Sequence, residues 1–226
     1  MKKLWYKFGT FKRGFTLAEV LITLVIVGVI AAITIPTVVN NTKKQEYVAG
    51  LKKAYSTFVQ VTNKIIADEG NPRGDIGGWA TSAEDIYNLY KKYLVNTKEC
   101  GGNEGCFEQA ANITYLNGNI YPYGTWDTSS DVRKMILSDG TQVLFDFASN
   151  DCQATYGRNN DYVCAGIWVD LNGEKKPNRI GRDIFTFLLR ENGLYPRGCD
   201  DDSDCVIDRA GHNCACKVLR ENAMNY

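Results

Sequence analysis

The chain has 226 residues, with 26 basic and 26 acidic side chains and one histidine, so its formal net charge is zero. A balanced charge without a basic stripe argues against a nucleic-acid partner, and one histidine excludes catalytic arrangements that need two. Neither an internal repeat nor a long low-complexity linker interrupts the chain.

The first 14 residues contain Lys2, Lys3, Lys7, Lys12 and Arg13 and no acid. An apolar run from Phe15 to Ile35 follows; as a helix it is about 31 Å long, enough to cross the hydrocarbon core of a bilayer. The cationic flank predicts that the amino end stays cytoplasmic and the remainder is exported. A cleavable signal peptide fits less well, because its apolar region is short and is followed by a small-x-small site. Here the small residue, Gly14, precedes the apolar run. Within that run Glu19 is the costly residue, at roughly 2.5–3.5 kcal/mol for a carboxylate at the helix centre and less near the interface. Cleavage after Gly14 would give Phe15 a free ammonium on the same helical face as Glu19, for pairing within one chain or between neighbours. Between neighbours, the acid would set register, since losing the partner strands a charge in an apolar environment.

Lys12-Arg13-Gly14, then Phe15-Thr16-Leu17-Ala18-Glu19 and the run through Val39 with Gly28 and Pro36, resemble the prepilin signature of type IV pilins and type II secretion pseudopilins. The resemblance implies that a membrane prepilin peptidase cuts between Gly14 and Phe15 and methylates the new amino terminus. It also implies that Glu19 recognises the amino terminus of an adjacent subunit. The implied partners are that peptidase, other pilin or pseudopilin subunits in a homo- or hetero-filament, an inner-membrane platform and an assembly ATPase. Without the five leader cations, 21 basic residues face 26 acidic ones, a net charge near −5 for the mature chain.

Pro36 predicts a kink or local loosening of the helix. Beyond it, apolar residues from Tyr47 to Ile66 recur at three- and four-residue steps, predicting an amphipathic continuation to about Asp68. Asn71-Pro72-Arg73-Gly74 and Gly77-Gly78 then mark a loop. Ser82, with Asp85 three residues on, predicts the capped start of a short helix ending near Val95. Asn117-Gly118 and Asp139-Gly140, each between apolar runs, predict two hairpins. Val163 to Asp170 predicts a strand, and Asp183 to Asn192 a short helix closed by Gly193.

Eight cysteines, at 100, 106, 152, 164, 199, 205, 214 and 216, all lie beyond the apolar run, and an even number in an exported domain favours disulfides. Cys100–Cys106 and Cys152–Cys164 are the local pairings. Cys214 and Cys216 are too close to bridge each other and should each pair with Cys199 or Cys205. The alternative is zinc held by four of Cys199, Cys205, His212, Cys214 and Cys216, but the spacing lacks Cys-x₂-Cys pairs. His212 reads as a surface loop residue, and Asp200 to Asp204 as a solvated acidic loop.

Asp170-Leu171-Asn172-Gly173 with the later Asp183 reads first as an Asn-Gly turn followed by an Asp N-cap on a helix beginning near Ile184. The sharper alternative is calcium, which takes carboxylate and carbonyl oxygens such as Asp170, Asn172 and Asp183 offer. The segment departs from an EF-hand, with glycine at the fourth position and no glutamate at the twelfth. The resemblance to major pseudopilins, which bind calcium in a C-terminal loop, adds to this alternative.

These features predict an α+β fold of type IV pilin-like form: a long N-terminal spine helix packed on an antiparallel sheet, with a disulfide-rich C-terminal region. The expected divisions are a cytoplasmic leader at 1–14, a spine at 15–69 and an exported domain at 70–226. Of the spine, 15–39 would span the membrane or form filament core, and 40–69 would be amphipathic. No resident cofactor is expected apart from the calcium alternative, and the absence of a nucleophile–base pair or phosphate loop predicts a structural subunit rather than an enzyme. Tyr115, Tyr121, Tyr123 and Trp126 suggest an alternative, a tip adhesin or DNA-uptake surface, although hairpin faces are commonly aromatic for packing alone.

Overall fold

The computed structural model describes residues 14–122, 126, 129–157 and 162–226; the leader cations and Tyr123 lie outside them. The chain forms two compact units, Met1–Lys43 and Lys44–Tyr226. Helix α1 (Leu17–Glu69) contributes to both and is unbroken through Pro36.

In the first unit no side chain from Gly14 to Thr42 is fully buried. An 18-residue window of α1 has a mean hydropathy of 2.6, long and apolar enough to cross a membrane. The threonines of this segment turn their hydroxyls back on the helix: Thr34 Oγ1 donates to the Ile30 carbonyl at 2.9 Å and Thr37 Oγ1 to that of Ile33 at 3.4 Å. Such bonds spare an apolar environment an unsatisfied hydroxyl.

In the second unit, α1 buries Tyr47, Val48, Leu51, Ala54, Phe58, Val61, Thr62 and Ile65, the stripe that the periodicity predicts. It packs with α2 (Ala83–Tyr93) against one face of a single antiparallel meander. The strands are β1 (Asn96–Gly101), β2 (Val132–Leu137), β3 (Gln142–Phe147), β4 (Ala165–Asp170), β5 (Ile184–Arg190) and β6 (Gly193–Pro196), neighbours in chain order. The Ser82 side chain accepts from the Asp85 N–H while its hydroxyl donates to Asp85 Oδ2 at 2.6 Å, capping α2 as expected. At the β2–β3 turn, Gly140 takes φ 87°, as an Asp-Gly hairpin requires.

Three expectations are corrected. Within the expected helix Asp183 to Asn192, Ile184–Arg190 form strand β5 instead. The sheet is covered on both faces: Phe185, Phe187 and Leu189 face the α1 side, and Ile184 packs with Leu144, Trp168 and Ile180 on the other. A strand buried on both faces carries no apolar–polar alternation, and its short apolar run is indistinguishable from a buried helix by periodicity. The Asn117-Gly118 turn closes a single antiparallel bridge, Thr114–Ile120, instead of a pair of full strands. Finally, the tail contains a helix, α3 (Cys214–Glu221), in a region where only disulfide-clamped irregular chain was expected.

The disulfides are Cys100–Cys106, Cys152–Cys164, Cys199–Cys216 and Cys205–Cys214. No cysteine is free, so the zinc alternative has no thiolates to use. A long N-terminal helix, a meander sheet and a disulfide-rich C-terminal region make the fold α+β and pilin-like.

Candidate assembly segment and a buried oxygen cluster

At the start of α1, Thr16 and Glu19 exchange hydrogen bonds. The Thr16 N–H and hydroxyl both donate to Glu19 Oε2 at 2.8 Å, and the Glu19 N–H donates to Thr16 Oγ1 at 3.2 Å. This is a capping box. Its Thr-x-x-Glu spacing was present in the sequence but is masked there by the more conspicuous pairing of Glu19 with a processed amino terminus. The box turns the carboxylate back toward the end of the helix, one residue from the nitrogen that cleavage after Gly14 would free. Both bonds fall on Oε2, so among the described residues Oε1 has no partner.

The β4–β5 connection brings together Asp170, Asn172 and Asp183. Asp170 and Asp183 are fully buried. Asp170 Oδ1 accepts the N–H groups of Asn172 at 3.1 Å and Gly173 at 3.0 Å. Asp183 accepts those of Asn178 and Arg179 at 2.9 and 2.7 Å. Asp183 therefore caps the turn that precedes it rather than a following helix, correcting the N-cap reading, because the chain after it enters the sheet. Asp170 Oδ2, Asn172 Oδ1, Asn178 Oδ1 and Gln142 Oε1 are buried without a hydrogen-bond partner. Gln142 pairs with Asp170 across β3 and β4.

Burial and the nearby Asp183 charge push the Asp170 carboxyl up to about 8. Asp183 is also raised, by burial. Among the described residues no group of three His, Cys, Asp or Glu side chains is placed to hold a metal ion. The carboxylates here are two, and the other orphaned atoms are amide oxygens. An all-oxygen set of acceptors that lack donors is the donor chemistry of a hard cation, so these residues fit calcium.

His212 is corrected from a surface loop residue to a partly buried one. It lies edge-on to Tyr115, Tyr121 and Trp168 at ring-centroid distances of 5.5, 5.9 and 5.7 Å. Burial first, and then the Arg197 charge, press its pKa down to about 3. Tyr121 and Trp126 pack with ring centroids 5.6 Å apart in the cluster covering the second sheet face. Of the aromatic residues suggested as a binding surface, Tyr115, Tyr121 and Trp126 are thus packing groups. The acidic run is likewise stapled: Asp200 pairs with Arg190, Asp202 with Arg220, and Asp204 accepts the N–H groups of Ala210 and His212.

The fold is pilin-like, and the amino-terminal helix supports a type IV pilin-like precursor. Residues 10–35 match the prokaryotic N-terminal methylation motif, the prepilin-type signature. No curated protein and no solved structure matches the chain. The motif implies processing by prepilin peptidase and assembly with other pilins, and with its apolar helix it fits a membrane-anchored pilin.

Proposed function

We propose that the chain is a structural subunit of a type IV pilus-like filament, a pseudopilin or minor pilin of a type II secretion-like machine. It is stored in the cytoplasmic membrane with its amino end inside, cut between Gly14 and Phe15, N-methylated on Phe15, and drawn by a platform and motor ATPase into a periplasmic or extracellular filament. The methylation motif around an oriented Glu19 carries this reading. Glu19 Oε2 is held by Thr16, leaving Oε1 to meet the ammonium of a neighbouring subunit. Extraction exchanges lipid contacts for helix contacts along residues 15–39, so little apolar surface is exposed to water at any stage.

The same reading includes a calcium ion held by Asp170, Asn172 and Asp183. Its support is the buried, unpartnered Asp170 Oδ2 and Asn172 Oδ1. A divalent cation would supply the charge that two buried carboxylates lack and fix the β4–β5 connection. A C-terminal calcium loop favours the secretion assignment over a surface pilin.

Intact mass of the protein from native envelopes tests the processing. Loss of residues 1–14 with one added methyl group is expected, and a chain still beginning at Met1 refutes it. Loss of the gene product should block protein export; a loss confined to surface pili would move the assignment to a surface pilin.

A further inference from the structure

Four arginines in the second unit, Arg73, Arg133, Arg190 and Arg220, form ion pairs with acids. Among the described residues Arg179, Arg182, Arg197 and Arg209 form none, and the last two line one cavity of about 290 Å³. Arg197 is the unusual one, being only 6% exposed. Its Nε donates to Asn213 Oδ1 at 3.1 Å, and its guanidinium carbon lies 5.2 Å from the centroid of the Tyr156 ring. A desolvated guanidinium without a counter-ion is costly, and its planar fork suits a carboxylate.

The surroundings are built around that group. Gly157, at φ +79°, gives it room: a Cβ there would lie 2.2 Å from an Arg197 terminal nitrogen. Gly166 does the same for Tyr156, since a Cβ on that strand residue would lie 2.5 Å from the ring. The phenol is fixed by its bonds to Asp146 and to Trp168 Nε1, so the platform beneath Arg197 is rigid. Around the cavity, Cys199–Cys216 and Cys205–Cys214 close the chain segment that carries Arg209, Ser203 and His212.

His212 lines the cavity, and its Nδ1 is buried without a partner. A neutral imidazole offers one N–H donor. Asp201 and Asp204 also line the cavity. Asp204 spends its two oxygens on the backbone N–H groups of Ala210 and His212, but both acids still oppose a dianion.

We propose that this cavity binds a small monocarboxylate, gripped by Arg197 and Arg209 with an imidazole hydrogen bond from His212. The shared chemistry is a single carboxylate, from a free organic acid or from the C-terminus of a peptide. A phosphate or other dianion is disfavoured by Asp201 and Asp204. The cavity is at the small end of ligand pockets, so it takes a carboxylate with a few attached atoms and not a folded surface.

The test is a titration of the full chain in detergent micelles, labelled with ¹⁵N-arginine, with sodium acetate replacing chloride at constant ionic strength. Saturable movement of the Arg197 Nε–H signal is expected. Arg209→Gln lies on an exposed side chain that makes no described ion pair, so it should leave the melting temperature unchanged. It should weaken acetate binding by about tenfold, the effect of one charge-assisted donor. A tripeptide with a free C-terminus, compared with its amide, distinguishes the two sources: tighter binding than acetate assigns the chain terminus, and weaker binding assigns the free acid. No saturable shift, an unchanged affinity in Arg209→Gln, equal binding of the amide, or tighter binding of inorganic phosphate each overturns the proposal.

Discussion

Asp170→Asn removes one charge and one oxygen donor from the β4–β5 connection while keeping the shape of the side chain. The amide oxygen can still accept the N–H groups of Asn172 and Gly173; the buried, unpartnered Oδ2 is replaced by an NH₂ group. In chelator the wild-type carboxyl titrates at about 8, against an ordinary 3.8. The folded state therefore binds more protons between these values. Its stability contribution is complete below the unfolded pKa and is lost as the pH rises through the folded one. An interval of roughly four pH units, at about 1.4 kcal/mol each, makes the loss on the order of 5 kcal/mol. Asparagine does not titrate, so in chelator the variant should gain on the wild type steadily from about pH 4 to pH 8. Calcium should narrow that gap. At a hundredfold excess over its Kd it returns about 2.7 kcal/mol to the wild type. At about 2–4 °C per kcal/mol for a chain of this size, that is a rise of about 5–10 °C in Tm. The variant should gain little. Calorimetric melts of the full chain in detergent, with EDTA or calcium, supply both comparisons. Parallel pH profiles, or equal calcium shifts in the two proteins, refute the reasoning.

Glu19→Val should leave membrane insertion intact, since it removes the only acid from the apolar run, yet lower incorporation into filaments. Normal incorporation, measured by shearing and immunoblot, would mean that Glu19 has no registering role. Phe58→Ala should destabilise the second unit by about 3–5 kcal/mol. Phe58 is fully buried between Tyr90 and Phe187, with ring centroids 6.0 and 6.1 Å away. A change below about 1 kcal/mol in thermal or denaturant unfolding would show that this contact is not central to the core.

Much of the helical frame was legible because helices announce themselves locally. The stripe from Tyr47 to Ile65 repeats with the helical period, Ser82 and Asp85 sit at capping distance, and Asp139-Gly140 has the backbone freedom that its turn needs. The Thr16–Glu19 box is equally local in its Thr-x-x-Glu spacing, although Glu19 also invites a partner from outside the chain. Strand β5 was not legible. Its six buried residues show no alternation, because both sides are covered, and that covering is supplied by residues as distant as Phe58 and Ile113.

The sequence by itself determined the methylation-motif segment, the apolar reach of α1 and the amphipathic continuation, since each depends on neighbours within a few residues along one helix. It also narrowed the cysteine pairing to short loops. Only the tertiary structure decided that Asp170, Asn172 and Asp183 share a buried oxygen cluster, and that Arg197, which forms no ion pair among the described residues, lines a cavity with His212. Burial, and the absence of a partner for a polar atom, are properties of the packed chain: they arise when strands and loops distant in sequence exclude water from the same place.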